Sequence, residues 1–411
     1  MTIAKCCRFC GADLHRTFVD LGRSPLANSF LSTEDLSAGE AFYPLHVYVC
    51  DSCLLVQLQE FERAENIFKD YLYFSSYSES WLRHCREYAQ AMTARYGLGS
   101  QSMVVEIASN DGYLLQYFKE KGIGVLGVEP AANVAKVAQD KGIDSHVAFF
   151  GANTARQLAD ASKTADLMAA NNVLAHVPDI NDFVAGFKIL LKPQGTATFE
   201  FPHLQNLIEQ RQFDTVYHEH FSYISLLFAE KLFKRHGLRI YDVEQLPTHG
   251  GSLRLFVCHE DAPFARTSRV DDVARGEQQA GLDRVETYSQ FASTVIDIKA
   301  DLLRFLIEAR KNGKTVVGYG APAKGNTLLN YCGVGPEFVQ YTVDLSPHKQ
   351  GRYLPGVQIP IHAPDRILET KPDFVLILPW NLKDEIVQQM AGIREWGGKF
   401  VIAIPALTII D

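Results

Sequence analysis

Short apolar runs alternate with amphipathic stretches from about residue 90 to the end of the chain, and this alternation constrains the fold more than any other feature. "MVVEIA", "GVLGVE", "SHVAFF", "ADLMAAN" and "GTATFEFP" have the β-branched, apolar character of buried strands. Between them "YLLQYFKEKG", "AANVAKVAQDKG", "TARQLADASK" and "INDFVAGFKILLK" read as helices, several closed by Gly in the expected C-terminal place. Strict alternation predicts βαβ units on a parallel sheet covered on both faces, with ligands beyond the carboxyl ends of the strands. A second α/β unit begins near Lys314, where "KTVVGYGAPAKGNTLL" is a strand, a Gly-rich turn and a helix start. "FVQYTVD" and "FVLILPW" follow as strands, and "KFVIAIP" closes the chain. A charged, helical link at roughly 262–312 joins the two units.

The 411-residue chain has room for two or three domains, and its 47% hydrophobic and 21% charged residues are ordinary globular values. A formal net charge of -8 with no Lys/Arg cluster argues against binding a phosphate backbone, so no nucleic-acid partner is expected. The start "MTIAKCCRFCGADLH" lacks a signal-peptide apolar core, and no later run approaches the roughly 18 to 20 residues of a membrane helix. A cytoplasmic protein with no membrane partner is expected.

In a reducing compartment, paired cysteines more often hold metal than form disulfides. Cys7-Arg-Phe-Cys10 and Cys50-Asp-Ser-Cys53 are two CxxC units, each presenting two thiolates to one tetrahedral ion. They predict a structural zinc with no open position for catalysis; the plainer alternative is four reduced thiols in a small core. Cys6 adjoins Cys7 and competes for its role. Cys85, Cys258 and Cys332 lack such partners and read as inert buried thiols.

The first βα turn is "VEIASNDGYLL". Glu106 ends the strand, Asn110 and Asp111 make the turn, and Gly112 is read as letting the backbone approach a ligand. Glu129 in "GVEP" ends the next strand, where a carboxylate can take both hydroxyls of a ribose. The turn lacks the GxGxxG of dinucleotide proteins. Its E-x-A/G-x-N-x-G form, followed by Asn171 and Asn172 in "AANNVLAHVPD", fits S-adenosylmethionine better, although an ordinary turn without ligand stays open. In the second unit Gly318-Tyr-Gly320-Ala-Pro-Ala-Lys324-Gly325-Asn326-Thr327 has Asn326 where a P-loop needs lysine, which disfavours ATP hydrolysis. A helix N-terminus with Lys324 suits a diphosphate, and Asp344 and Lys349 are positioned to complete a nucleotide site. A purely structural turn is the competing reading.

"FDTVYHEHFSYIS", residues 213–225, follows the fifth strand and so falls near the cofactor's reactive end. His218 and His220 alternate with Glu219, which in an extended chain faces the other way, and no third metal ligand is evident. Proton transfer fits better: His220 is a usable base near neutral pH, and Glu219 or Tyr217 can orient it or the substrate. His176 projects from the fourth strand end toward the same cleft. "DYLYFSSYSESW" adds Tyr71, Tyr73 and Tyr77, of which packing alone explains all but one.

The double CxxC, "VEIASNDGYLL", "YHEHFSYIS", "THGGSLRLFV" and "GYGAPAKGNT", in that order, closely resemble the S-adenosylmethionine-dependent sugar C-methyltransferases of deoxysugar pathways. The resemblance spans essentially the whole chain. It implies an α/β protein: a zinc-binding domain at 1–75, a class I methyltransferase Rossmann-like domain at 76–285 and a Rossmann-like sugar-nucleotide domain at 286–411. It further implies a nucleotide-linked 4-keto sugar in the cleft between domains, for which Lys324, Asn326, Asp344 and Lys349 of the second unit are the expected ligands. By the same resemblance His220 is the base at C3, Glu219 and Tyr217 hold the sugar or the base, His176 sits beside the enolate oxygen, and Tyr71 is the tyrosine near the sugar. Ala108 departs from the Gly found there in many methyltransferases. An O- or N-methyltransferase of another small metabolite is the alternative activity, and monomer and dimer both stay open.

Overall fold

The computed structural model describes residues 5–63, 76 and 79–411. Tyr71, Tyr73 and Tyr77 lie outside the described residues. Three sheets organise the chain. The first is an antiparallel meander of β1 (Arg16–Ser24), β2 (Tyr43–Val49) and β3 (Val56–Leu58).

The second contains β4 (Met103–Ile107), β5 (Gly124–Val128), β6 (Ser145–His146), β7 (Ala165–Asn171), β8 (Leu191–Pro202), β10 (Leu238–Leu246) and β11 (Ser252–His259). Its order is β10-β11-β8-β7-β4-β5-β6. β6, β5, β4, β7 and β8 are mutually parallel, whereas β11 runs antiparallel between β8 and β10. The predicted strand "SHVAFF" is cut to Ser145–His146, and the β10–β11 hairpin falls in sequence that alternation alone did not mark. The two-residue β9 (Ser222–Tyr223) does not join this sheet. It pairs with β3, Val56 opposite Tyr223 and Gln57 opposite Ser222, and completes the first sheet in the order β1-β2-β3-β9. A division at residue 75 therefore cuts through one sheet.

The third sheet has β12 (Val316–Tyr319), β13 (Thr342–Val343), β14 (Ile361–His362), β15 (Phe374–Ile377), β16 (Lys399–Ile402) and β17 (Thr408–Ile410) in the order β14-β13-β12-β15-β16-β17. All neighbours are parallel except β17, an antiparallel edge that follows the strand expected to close the chain. In both parallel sheets the order reverses beside the first strand, β4 or β12, which opens a crevice at the strand ends.

Packing ties the first and third units together. The helix Phe291–Lys311 buries Phe291, Val295, Ile298 and Leu302 in one core with Phe18, Val47, Val317 and Leu376. Phe18 stacks on Phe291 at 4.6 Å between centroids. Each such side chain contributes about 1.5–3 kcal/mol by leaving water. Among the described residues no helix is long and apolar enough to cross a membrane.

Candidate active site

The four expected metal ligands converge. The Sγ atoms of Cys7, Cys10, Cys50 and Cys53 all lie within 4.8 Å of one another, with Cys7–Cys53 and Cys10–Cys50 at 3.5 Å. Zinc–thiolate bonds of about 2.3 Å in a tetrahedron require sulfurs roughly 3.8 Å apart, so the set fits one zinc ion. Gln57 Nε2 donates to Cys7 Sγ at 3.1 Å, an additional support for a thiolate there. Cys6 points elsewhere, toward Asp13, and is exposed. Arg8, inside the first knuckle, donates to the carbonyls of Pro178 and Leu58, and its guanidinium lies 5.2 Å from the Phe221 ring. Asn181 Nδ2 donates back to the carbonyls of Arg8 and Phe9 at 3.1 and 3.0 Å. The metal knuckle thus grips the segments on either side of the catalytic candidates.

A cavity of about 540 Å³ opens at the carboxyl ends of β4, β5 and β7 and reaches the other two units, a volume suited to a small-molecule site. Its first half is built by the β4 turn. Ala108 (φ 57) and Asn110 (φ 48) both take the left-handed conformation, and Asn172 (φ 54) does so at the end of β7. Non-glycine residues there cost about 1 kcal/mol or more each, and their concentration on one cavity wall marks a functional surface. Glu129 Oε2 accepts the Asn110 N–H and Oε1 the Ala131 N–H, both at 2.9 Å. Burial pushes its carboxyl upward, and those two amides oppose the shift. Asn171 Oδ1 and Asn172 Oδ1 are buried without a protein partner, acceptors suited to the ammonium and amino groups of S-adenosylmethionine.

Two expected cofactor residues stand off the cavity wall. Glu106 is fully buried beneath the turn and does not line the cavity; burial, opposed by Tyr113, drives its carboxyl well above the usual range. Gly112 (φ +78) also lies off the cavity wall, and a Cβ on it would stand 2.4 Å from Ile143 Cδ1. Its glycine serves the turn and the packing beneath it.

The second half holds the Tyr-His-Glu-His loop. His220 Nδ1 lies 2.8 Å from the Thr215 carbonyl oxygen. A carbonyl only accepts, so Nδ1 carries the proton and Nε2 keeps its lone pair. Burial, then the nearby His176, hold the imidazole well below its ordinary pKa, so it is neutral and able to accept a proton. Tyr217 lies against it (centroids 4.0 Å, 33°) and His176 meets it edge-on (4.7 Å, 70°). His176 is itself lowered to about 4 by burial, against a hydrogen bond with the Glu219 backbone. Glu219, 4% exposed, accepts from Asn28 Nδ2 of the first sheet's loops at 2.7 Å; burial raises it to about 7, and Asn28 opposes that. His218 turns away to the Pro44 carbonyl at 3.3 Å, so no His-x-His metal pair forms.

The third unit contributes the N-terminus of the helix Ala323–Cys332 and Lys324, all on the cavity wall. Lys324 Nζ donates to Asn381 Oδ1 at 2.8 Å and sits 4.6 Å from the Trp380 ring centroid. Lys349 also lines the cavity, donating to the Ala321 carbonyl at 2.9 Å. The other two expected substrate ligands are placed differently. Asp344 accepts the Ala321 and Ser346 N–H groups at 2.8 Å each and braces the turn from behind. Asn326 is fully buried, with its Oδ1 accepting from Asn330 Nδ2 at 3.1 Å.

Among the wall residues that sequence reasoning missed are Asn28, Trp81 and His249. His249 (φ 55) lies 3.2 Å from Asn172 Nδ2 through its Nε2 and 5.6 Å from the Trp81 ring. The signal was the following glycine pair, since a Cβ on Gly250 would strike Trp380 Cη2 at 2.5 Å. Glu200 anchors this loop: it accepts from Thr248 at 3.0 Å and pairs with Arg254 at 2.9 Å and His84 at 3.1 Å. Burial would raise Glu200, yet His84 and Arg254 hold it at about 2.

Family models match the chain in three places: a "Putative zinc binding domain" at residues 7–68, a "Methyltransferase domain" at 81–243 and a "C-methyltransferase C-terminal domain" at 247–405. Fold and site define an S-adenosylmethionine-dependent methyltransferase with a class I Rossmann-like core, a zinc-binding N-terminal domain and a C-terminal α/β domain. The chain is 37% identical to the C-methyltransferase NovU of Streptomyces niveus over 98% of its own length and 96% of that protein's. It belongs to this C-methyltransferase family. The ubiquinone biosynthesis O-methyltransferase of Rhodopseudomonas palustris (strain TIE-1) is 29% identical over 27% of this chain and 44% of that one. Among solved structures, the Burkholderia thailandensis 1,6-didemethyltoxoflavin-N1-methyltransferase, with 1,6-didemethyltoxoflavin and S-adenosylhomocysteine bound, is 18% identical. Its TM-score is 0.32, over 43% of this chain and 79% of that one.

Proposed function

We propose that this C-methyltransferase methylates C3 of a nucleotide-linked 4-keto deoxysugar through an enolate, in deoxysugar or branched-chain sugar biosynthesis. The observation that carries the reading is the His220 tautomer: Nδ1–H is spent on the Thr215 carbonyl, so the Nε2 lone pair is left for a substrate proton in the cavity that also holds the cofactor residues. A carbon beside a ketone loses its proton only when base and oxyanion partners converge, and His176, Tyr217 and Lys324 share that cavity wall. When bound, S-adenosylmethionine supplies the methyl group and a positive sulfur. Glu129, Asn110, Asn171 and Asn172 hold that cofactor; Glu219 and Tyr217 receive the sugar, and Lys349 with the helix N-terminus at Ala323 receives the diphosphate.

The test is mass spectrometry of a TDP-4-keto-2,6-dideoxyhexose incubated with enzyme and S-adenosylmethionine in deuterated water. One added methyl group on carbon, with deuterium uptake that disappears in His220→Asn, is the expected result. Methylation on oxygen or nitrogen without exchange of a substrate C–H would replace the reading with the O- or N-methyltransferase alternative.

A further inference from the structure

Lys324 was expected to meet a diphosphate, but its surroundings differ from those of a phosphate lysine. Among the described residues its ammonium has a single hydrogen-bond acceptor, Asn381 Oδ1. Two of its three N–H bonds therefore remain unspent beside the cavity. Its stem and charge are fixed by Trp380, whose ring face lies 4.6 Å from Nζ and whose Nε1 donates to the buried Asp214 Oδ2 at 2.8 Å. One indole thus presents its π-face to the cation and its N–H to the counter-charge behind it. Burial pushes the Asp214 carboxyl up to about 6 and the Lys324 charge draws it back down; burial likewise lowers the Lys324 ammonium, and Asp214 opposes that shift.

Lys324 and the base also feel each other. The lysine's charge adds to the forces that keep His220 and His249 unprotonated, which places the ammonium in the electrostatic field of the reacting centre. Lys349, by contrast, leans on the Asp344 carboxylate at 3.4 Å with its side chain 25% exposed, and the Phe30 ring is 5.3 Å away. That is a position for an outward-leading phosphate chain.

The geometry points to Lys324 as the cation that receives the enolate oxygen of the substrate, with Trp380 and Asp214 as the residues that position and charge it. This rests on the enolate reading above. In the step, the C3–H bond breaks and its proton goes to His220 Nε2, while the bonding pair shifts through C3–C4 onto the ketone oxygen, which gains the negative charge facing Lys324. The pair then returns to form the C3–CH₃ bond; the methyl–sulfur bond breaks with its electrons staying on sulfur, and His220 gives its proton to water.

The experiment uses the full, zinc-loaded chain with S-adenosylhomocysteine bound and measures two quantities: deuterium uptake into the TDP-4-keto sugar at saturation, and calorimetric affinity for free TDP. In Lys324→Met, uptake should fall about 10²- to 10³-fold, as when one oxyanion donor is removed, while TDP affinity and S-adenosylhomocysteine affinity stay at the parent's values. Lys324→Arg, which keeps the charge, should recover part of the exchange. Trp380→Phe, which keeps the ring under the ammonium and removes the N–H to Asp214, should lose about tenfold in exchange with TDP binding intact; it decides the matter if Lys324→Met does not fold. Loss of TDP binding with exchange unchanged at saturation would make Lys324 a diphosphate ligand, and no change in either would make it structural; both overturn the proposal. A parent enzyme that methylates the sugar without any exchange would overturn the enolate reading itself, whatever the variants do.

Discussion

Removing the Asn28 side chain should move the pH dependence of the reaction without touching the cofactor half of the site. Asn28 Nδ2 donates to Glu219 Oε1 at 2.7 Å, and Glu219 is almost wholly buried, with its carboxyl raised to about 7. A hydrogen bond to a buried charged group is worth about 1.5–3 kcal/mol, and about 1.4 kcal/mol corresponds to one pH unit. The bond favours the ionised carboxylate, so its loss in Asn28→Ala raises the Glu219 pKa by about one to two units. If ionised Glu219 is the form that receives the sugar, the acid limb of the kcat/KM profile shifts from near 7 to about 8 or higher, and activity at neutral pH falls by roughly five- to fiftyfold. Stability follows the same sign. Glu219 titrates higher in the folded chain than in the unfolded one, so the folded state loses stability as pH rises from the unfolded value, about 4.3, through 7, and in the variant that loss extends upward. The assay is a set of kcat/KM measurements from mildly acid to mildly alkaline pH, with S-adenosylhomocysteine binding as control. An acid limb at the same pH in both proteins would refute the reasoning.

Glu129→Ala strands the buried Asn110 and Ala131 N–H groups at a cost of about 1–3 kcal/mol, so calorimetry should show S-adenosylmethionine affinity reduced roughly five- to hundredfold. Gly112→Ala combines a left-handed backbone with a Cβ 2.4 Å from Ile143 Cδ1, and thermal unfolding should report a loss of about 1–3 kcal/mol. Ala108→Gly releases backbone strain at φ 57 against a greater unfolded-state entropy, and the melting temperature should stay level or rise slightly. Stripping zinc with a strong chelator should abolish methyl transfer and expose the amides of residues 217–223 to hydrogen exchange, while S-adenosylhomocysteine binding persists, because Arg8 and β3 hold that loop from the metal side.

The parallel sheets were legible because their strands are short apolar runs between periodic helices, a signal local in sequence. The zinc ligands were legible for a chemical reason: two CxxC knuckles supply a whole coordination sphere wherever the fold brings them together. Long-range placement was not legible. Asn28 meets Glu219 from 191 positions away, and nothing near either residue encodes that meeting. Residue type alone placed Asp344 and Asn326 on the ligand side, yet one accepts the Ala321 and Ser346 amides and the other is buried in a helix against Asn330. In the Tyr-His-Glu-His loop, period-two alternation puts His218 and His220 on one face; their divergence comes from the Pro44 carbonyl capturing the first and the Thr215 carbonyl the second.

The pairing of β9 with β3 bears on how such enzymes can be recombined. A chimera joined near residue 75, taking its metal module from one parent and its catalytic core from another, would inherit a seam of two mismatched strand edges. Val56 and Tyr223 are both buried at that seam, and unmatched partners would leave it open to solvent or to another chain. A transplant that carries residues 217–225 along with the metal module keeps the seam matched, and moves the proposed base with it. The metal module and the loop around β9 are accordingly exchangeable only as a discontinuous block, two stretches of chain that must travel together.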